Sequence, residues 1–395
     1  MHVLGHLTIE EFLRDYWQKK PVLIRNAIPG FTPLLAADEL AGLSLEGEIE
    51  TRIIVEEGRT GPWEVHKGPF TEETYRDLPE DKWTLLVQGV DQWIPEAADL
   101  LEYFRFIPSW RIDDLMISYA VDGGSVGPHY DQYDVFLLQA EGQREWRIGQ
   151  MCSEQSPIQK GPAVRILEEF EESDSWILNP GDMLYLPPKL AHYGRAVGEC
   201  MTYSVGFRAP SAAQLLERAA DVILPQLNDD IRYADPDLRV QKSSAEITAD
   251  AINRLRTLLT EQLNSDAVMA EIIGQLMTEP KYPDDGPDTA GSQESLEESW
   301  EETADWLPDA TLCRHEHARF AWHQDGETIR FWHQGEMTCL TPASQPLVAL
   351  LSDQRHYDGQ ELINLCSHMD SRQLLLSLIA AGLLYTEEEY GDPDF

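Results

Sequence analysis

Residues 127–133 read Gly127-Pro128-His129-Tyr130-Asp131-Gln132-Tyr133. Side chains alternate faces along an extended strand, so His129, Asp131 and Tyr133 are expected to point the same way. An imidazole and a carboxylate on one face supply two ligands to one metal. A third ligand from a distant strand completes a facial set and leaves three positions open for cosubstrate and oxygen. That is the two-His, one-carboxylate arrangement of non-haem Fe(II) oxygenases. His192 is the candidate third ligand. It ends the run Pro187-Pro188-Lys189-Leu190-Ala191-His192, behind the turn Asn179-Pro180-Gly181-Asp182 and a predicted strand over 183–186. A lone His-x-Asp says little in a chain with 11 histidines; joined to that distant segment it is specific. The competing reading has both histidines merely satisfying hydrogen bonds in a barrel.

Outward from this segment, the sequence up to Pro210 is rich in strand patterns, at 113–119, 135–138, 145–148, 183–186 and 201–207, punctuated by Gly-Gly, Glu-Gly and Pro-Gly signals. Many short strands without alternating helices predict an antiparallel sandwich or barrel. A diacid cosubstrate chelating iron at its keto-acid end leaves one carboxylate deeper in such a barrel, where a guanidinium fork would pair it. Arg144 is placed on the strand after a turn at Glu141-Gly142. It shares a face with Trp146 and Ile148 and is expected to point inward; a surface charge on a hairpin is the competing reading. Ser118 adds a hydroxyl from a neighbouring strand. If Ser118 faces inward, so do Met116 and Asp114, while Asp113, Leu115 and Ile117 face away. An inward carboxylate is costly unless it meets a cation. With Tyr133 as a wall, Met116 as a floor and Ser204 near the exit, Asp114 predicts a slot for a long basic side chain. The alternative is a buried Asp that caps backbone donors.

Residues 8–20 predict an amphipathic helix, capped by Thr8 with Glu11 and stopped by Pro21, before a short strand at 22–24. Beyond Pro210 come helical patterns at 212–227, 244–263 and 268–277, whose apolar faces point to a homodimer interface or to packing on the barrel. Residues 280–305 are expected to be an acidic linker. The remainder, 306–395, predicts a small winged-helix-like domain. Its strands at 319–323 and 328–333 meet at Gln324-Asp325-Gly326, and helices at 345–351, 359–366 and 371–381 follow, the last stopped by Gly382. His315, His317, His323 and His333 are read as surface residues rather than a second metal site.

The chain has 30 Lys and Arg against 70 Asp and Glu, a formal net charge of −40. Such a balance disfavours nucleic acid and anionic membranes as partners and favours a basic protein. Adaptation to a salty cytoplasm is an equally good account. The 42% hydrophobic content and 11 Trp exclude global disorder. Five scattered cysteines without a CxxC pair, no basic-apolar leader over 1–10 and no long apolar run predict a cytoplasmic protein.

With these residues in view, the chain resembles the JmjC-domain ribosomal oxygenases, and among them the bacterial arginine hydroxylases of large-subunit ribosomal protein sixteen. The resemblance rests on Tyr16-Trp17-Gln18-Lys19-Lys20-Pro21-Val22, on Trp110 to Ser118, on Val126 to Phe136, and on Tyr203-Ser204-Val205-Gly206-Phe207-Arg208-Ala209-Pro210. It implies a double-stranded β-helix of the cupin/JmjC type over 1–210, a helical dimerisation region over 211–279 and a winged helix after the linker. It also implies Fe(II), 2-oxoglutarate and O2 as cofactor and cosubstrates, and hydroxylation of an arginine β-carbon in a large-subunit ribosomal protein. Family roles fall on His129, Asp131 and His192 for iron, on Arg144 and Ser118 for 2-oxoglutarate, and on Asp114, Met116, Tyr133 and Ser204 for the substrate. A homodimer without DNA or membrane partners is expected. The alternatives are a histidine hydroxylase of another ribosomal protein and a non-catalytic metal-binding cupin module.

Overall fold

The computed structural model describes residues 3–282 and 296–386. They form two compact units, Met1–Ala209 and Pro210–Phe395. No helix among the described residues is long and apolar enough to cross a membrane.

The first unit contains α1 (Ile9–Asp15), β1 (Val22–Ile24), α2 (Ala37–Leu43), β2 (Thr51–Gly58), β3 (Gly61–Lys67), α3 (Glu72–Arg76) and β4 (Trp83–Val87), then α4 (Pro95–Leu101) and β5 (Ile112–Ala120). It ends with β6 (Val135–Met151), β7 (Asp174–Leu178), β8 (Met183–Leu186) and β9 (Leu190–Phe207). The strands form one antiparallel sheet in the order β1-β8-β6-β9-β5-β4-β2-β3, with β7 also paired to β6. This is the double-stranded β-helix expected.

Its distinctive parts are the two long strands. β6 pairs with β9 along nearly its whole length, while its other edge takes β8 at the start and β7 at the end. Register shifts near Glu141 and after Ile148 mark bulges, and bulges bend a strand and sharpen its twist. The turn expected at Glu141-Gly142 is therefore absent. Gly142 adopts φ +62°, and a Cβ there would lie 2.0 Å from the Glu199 carbonyl oxygen, so the bulge demands glycine. The two short strands read there are one long strand, which a local turn signal could not distinguish from a bulge.

One face of the sheet packs Phe136, Leu138, Tyr185, Tyr203, Val205, Leu115 and Ile117 into the main core beneath the N-terminal segments. The opposite face carries a smaller cluster including Val135, Leu137, Trp146, Ile148, Leu184 and Leu186. This second face lines the site. The Thr8 capping box forms as expected, with Glu11 as its partner. The helix ends at Asp15 rather than running to residue 20, because Gln18 turns into the left-handed region at φ +56°.

The second unit contains α5 (Ala212–Ile223), α6 (Ala249–Leu263), α7 (Asp266–Thr278) and α8 (Leu296–Trp306), then β10 (Thr311–Arg314), β11 (Phe320–Asp325), β12 (Thr328–His333) and β13 (Glu336–Leu340). α9 (Gln345–Asp353), β14 (His356–Asp358), α10 (Gly359–Leu365), α11 (Met369–Ala380) and β15 (Leu384–Thr386) complete it. The hairpin of β11 and β12 turns at Gly326, φ +57°, and Gly382, φ +65°, follows α11 as its stop.

Two expectations change here. The acidic stretch read as linker is helical from Leu296, and Trp300 of α8 packs on the C-terminal core with Arg372 stacked over its indole; residues 283–295 lie outside the described residues. Helix α7, grouped by sequence with a separate dimerisation region, lies on the β11–β13 sheet. Its Gly274 abuts the Trp332 ring, and its Thr278 hydroxyl accepts from the Gly335 amide at 3.1 Å. The C-terminal histidines also differ from expectation. His317 is buried and His315 packs against it and Tyr385, because Glu316 turns inward to accept from Arg355 and from the Tyr385 hydroxyl. Among the described residues they form no metal-ligating group.

Candidate metal and cosubstrate site

The predicted triad converges. Ligand atoms of His129, Asp131 and His192 all lie within 4.8 Å of one another. The route differs from the expected strand, because residues 130–134 are irregular and His129 alone makes an isolated bridge, to His192. Their backbones exchange both bonds, at 3.0 and 2.9 Å, and the rings stand 4.2 Å apart. Side-chain alternation thus explains His129 and His192 as a bridged pair, whereas Asp131 reaches the same point from an irregular segment. Lys189, in the left-handed region at φ +67°, holds that segment by donating its amide to the Asp131 carbonyl at 2.7 Å.

Each imidazole has one nitrogen committed. Nδ1 of His129 donates to the Gly127 carbonyl at 2.9 Å and Nδ1 of His192 to the Leu190 carbonyl at 3.0 Å. Such bonds fix the tautomer and turn the Nε2 lone pair toward a metal. Nε2 of His129 and of His192 lie 3.9 and 3.5 Å from Asp131 Oδ2. Burial, with repulsion from His129, holds the His192 pKa down to about 4, so the ring is neutral and available as a ligand. Two imidazole nitrogens and one carboxylate on one side fit a divalent ion of the iron type.

Deeper on the same face lies Arg144. Trp146 is registered with Gly194 and Ile148 with His192, so Arg144, opposite Ala196, projects on the ligand side as its spacing predicted. It is 3% exposed, its guanidinium packs 5.4 Å from the Trp146 ring, and no carboxylate pairs with it among the described residues. One terminal nitrogen donates to Ser118 Oγ at 3.2 Å and to Thr202 Oγ1 at 3.3 Å, while Nε has no partner. Burial pushes its pKa down. A buried guanidinium held by neutral hydroxyls carries uncompensated charge, and a ligand carboxylate supplies what is missing. The residues fit a dicarboxylate cosubstrate. Ser118 is where the sequence placed it. Thr202 and Gln139, which accepts from the Thr202 hydroxyl at 3.1 Å, were missed; Thr202 has the parity of Ser204 and could have been found by the same alternation.

The third group lies toward the other end of β5. Asp114 is 3% exposed and Met116 is registered with Ser204. Tyr133 keeps part of its ring exposed. The Asp131 charge, burial and Asp114 together push its phenol pKa above the ordinary range, which sets Tyr133 among these carboxylates. The parity argument holds along β5, where Leu115 and Ile117 enter the core on the opposite face. For Tyr133 the strand premise fails, since the residue sits in a bend.

Comparison with known proteins now bears on this geometry. A JmjC-domain profile matches residues 99–215 and a ROXA-like winged-helix profile matches residues 260–385. The chain is 38% identical to ribosomal protein uL16 3-hydroxylase of Escherichia coli over 278 residues, 69% of this chain and 72% of that protein. The chain belongs to the JmjC-domain ribosomal oxygenases. The crystal structure of E. coli ycfD superposes on this oxygenase with a TM-score of 0.85 at 32% identity, covering 98% of this chain and 100% of that one. A structure of the E. coli ribosomal oxygenase YcfD with cobalt and 2-oxoglutarate does so at 0.81 and 32% identity, covering 97% and 99%. The oxygenase is a 2-oxoglutarate-dependent dioxygenase, with Fe(II) as its metal. The winged-helix match begins within α6, which agrees with the packing of α7 on the β11–β13 sheet.

Proposed function

We propose that this oxygenase hydroxylates the β-carbon of an arginine in the large-subunit ribosomal protein uL16, with His129, Asp131 and His192 holding Fe(II). Arg144, steadied by Ser118 and Thr202, takes the distal carboxylate of 2-oxoglutarate. Asp114, Met116, Tyr133 and Ser204 receive the substrate side chain. The observation that carries the reading is the facial triad beside a buried arginine that lacks an acidic partner among the described residues. When bound, iron with 2-oxoglutarate and O2 supplies the oxidising power. The chain supplies ligands of fixed tautomer, a fork for the cosubstrate, and a wall of apolar side chains that excludes water.

Asp114 selects among substrates. A buried carboxylate matches a guanidinium, whereas a neutral imidazole is served by neutral donors. This favours arginine over histidine. A purely structural metal module would not need Arg144.

The same reading includes a cytoplasmic homodimer. Ile252, Leu255 and Leu259 recur on one side of α6, each at least 44% exposed, and Leu216 and Leu224 are exposed nearby in sequence. An apolar stripe of this extent marks a protein interface. The test of substrate is mass spectrometry of ribosomal proteins from cells with and without this oxygenase. The expected difference is one added oxygen atom on one arginine of uL16. A modified histidine, or no change, refutes the assignment.

A further inference from the structure

Asp114 does not act alone. Gln88, the residue just after β4, directs its side chain to the Asp114 carboxylate, with Nε2 2.6 Å from Oδ2. A carboxylate only accepts, so the amide must present its N–H to it. Backbone register explains the meeting: Val87 lies opposite Ile117, which sets the next residue, Gln88, beside Met116 on the site face. On the other flank is Gly206 of β9. A Cβ built there would stand 3.6 Å from Asp114 Oδ1 and 3.9 Å from Tyr133 Cε2. Its missing side chain leaves the gap between the carboxylate and the phenol ring, and this backbone is extended, so conformational freedom does not call for glycine.

We infer that Gln88 is a positioning residue and Gly206 a gate of the substrate slot, which together restrict it to a guanidinium. Donating through Nε2, the Gln88 amide fixes the rotation of the Asp114 carboxylate. The same amide carries a carbonyl oxygen, a neutral acceptor bonded to the carbon that bears the donating nitrogen, as a second kind of acceptor next to the carboxylate's own. A planar guanidinium with five N–H donors engages such an array; an ammonium ion, a compact point charge, gains nothing from its planar arrangement. Gly206 supplies the width that a flat group needs to pass between Asp114 and Tyr133. This inference rests on the arginine reading above.

The experiment uses the full-length oxygenase reconstituted with Fe(II) and 2-oxoglutarate. The substrate is a synthetic uL16 peptide around the target arginine; the inhibitor is the same peptide with lysine in its place. Gln88→Leu should raise KM for the arginine peptide about tenfold or more, the effect of losing a hydrogen bond to a charged group. It should leave kcat within about threefold and the inhibition constant of the lysine peptide nearly unchanged, because the loss is specific to the fork. Gly206→Ala, whose methyl makes only ordinary contacts with the protein, should melt as the parent does and raise KM for arginine more than the inhibition constant for lysine. If both variants keep the parent KM, or if KM and the lysine constant rise together, the inference is overturned. Loss of Fe(II) or 2-oxoglutarate binding in Gln88→Leu would also overturn it, since that marks general scaffolding. If the parent itself does not modify the arginine peptide, the proposed function fails first and this inference falls with it.

Discussion

At the residue scale the site is governed by what each polar group lacks. His129 and His192 spend Nδ1 on backbone carbonyls two residues earlier in the chain, which leaves Nε2 free to face a metal. Arg144 has two hydroxyl partners, an unpartnered Nε and, among the described residues, no acid beside it. Breaking a buried, hydrogen-bonded charge pair costs about 2–5 kcal/mol, so Arg144→Ala should raise KM for 2-oxoglutarate by at least about 30-fold, as read from succinate formation. Arg144→Lys should recover little of this, because an ammonium cannot fork. An unchanged KM would show that the cosubstrate carboxylate lies elsewhere. His192→Ala should abolish Fe(II) binding in a metal titration while leaving the position of Arg144 unchanged; retained Fe(II) affinity would remove His192 from the ligand set. The inward placement of Arg144 and the convergence of His192 on His129 and Asp131 were legible in the sequence, because chemistry restricts which residue types do this work. Gln88 and Thr202 were not, since glutamine and threonine serve many neutral roles and only register reveals theirs.

At the element scale the long pair β6 and β9 sets the distances. Trp146 lies across Gly194, and a Cβ at 194 would come within 2.7 Å of its ring. Overpacking of this kind costs about 1–3 kcal/mol. Gly194→Ala should destabilise the protein by that amount in urea unfolding. By shifting the ring that Arg144 stacks on, it should also raise KM for 2-oxoglutarate while Fe(II) affinity changes little. A variant with unaltered stability and KM would show that the indole moves freely. Strand alternation predicted the inward faces of β5 and of the Arg144 segment correctly. It misread residues 129–133, because a bridge followed by an irregular bend has the same residue pattern as a strand edge. It likewise split β6 at Gly142, where positive φ serves a bulge instead of a reversal.

At the scale of the whole molecule, the second unit carries its own titratable weakness. Burial and the positive Arg355 hold His315 to a pKa of about 4, below its ordinary value of 6.5. The unfolded chain then binds the proton first, so stability is complete above about pH 6.5 and falls as pH drops toward 4. The expected loss is about 2 kcal/mol between pH 7 and pH 5. His315→Gln should flatten that dependence in urea unfolding of the full chain; an equally steep profile would dismiss the role of this ring. For the oligomer, Leu255→Glu with Leu259→Glu should convert a dimer to a monomer in light scattering, and a parent that is already monomeric would refute the interface. The sequence by itself determined which residues form the candidate triad, the inward faces of the strands and the winged-helix hairpin, because metal chemistry, side-chain alternation and Asp-Gly turns are local. Only the tertiary structure decided that Asp131 arrives from an irregular segment, that Arg144 lacks an acidic partner among the described residues, that Gln88 meets Asp114, and that α7 packs on the winged-helix sheet. Each of these depends on registers and contacts between residues far apart in the chain, which no local pattern encodes.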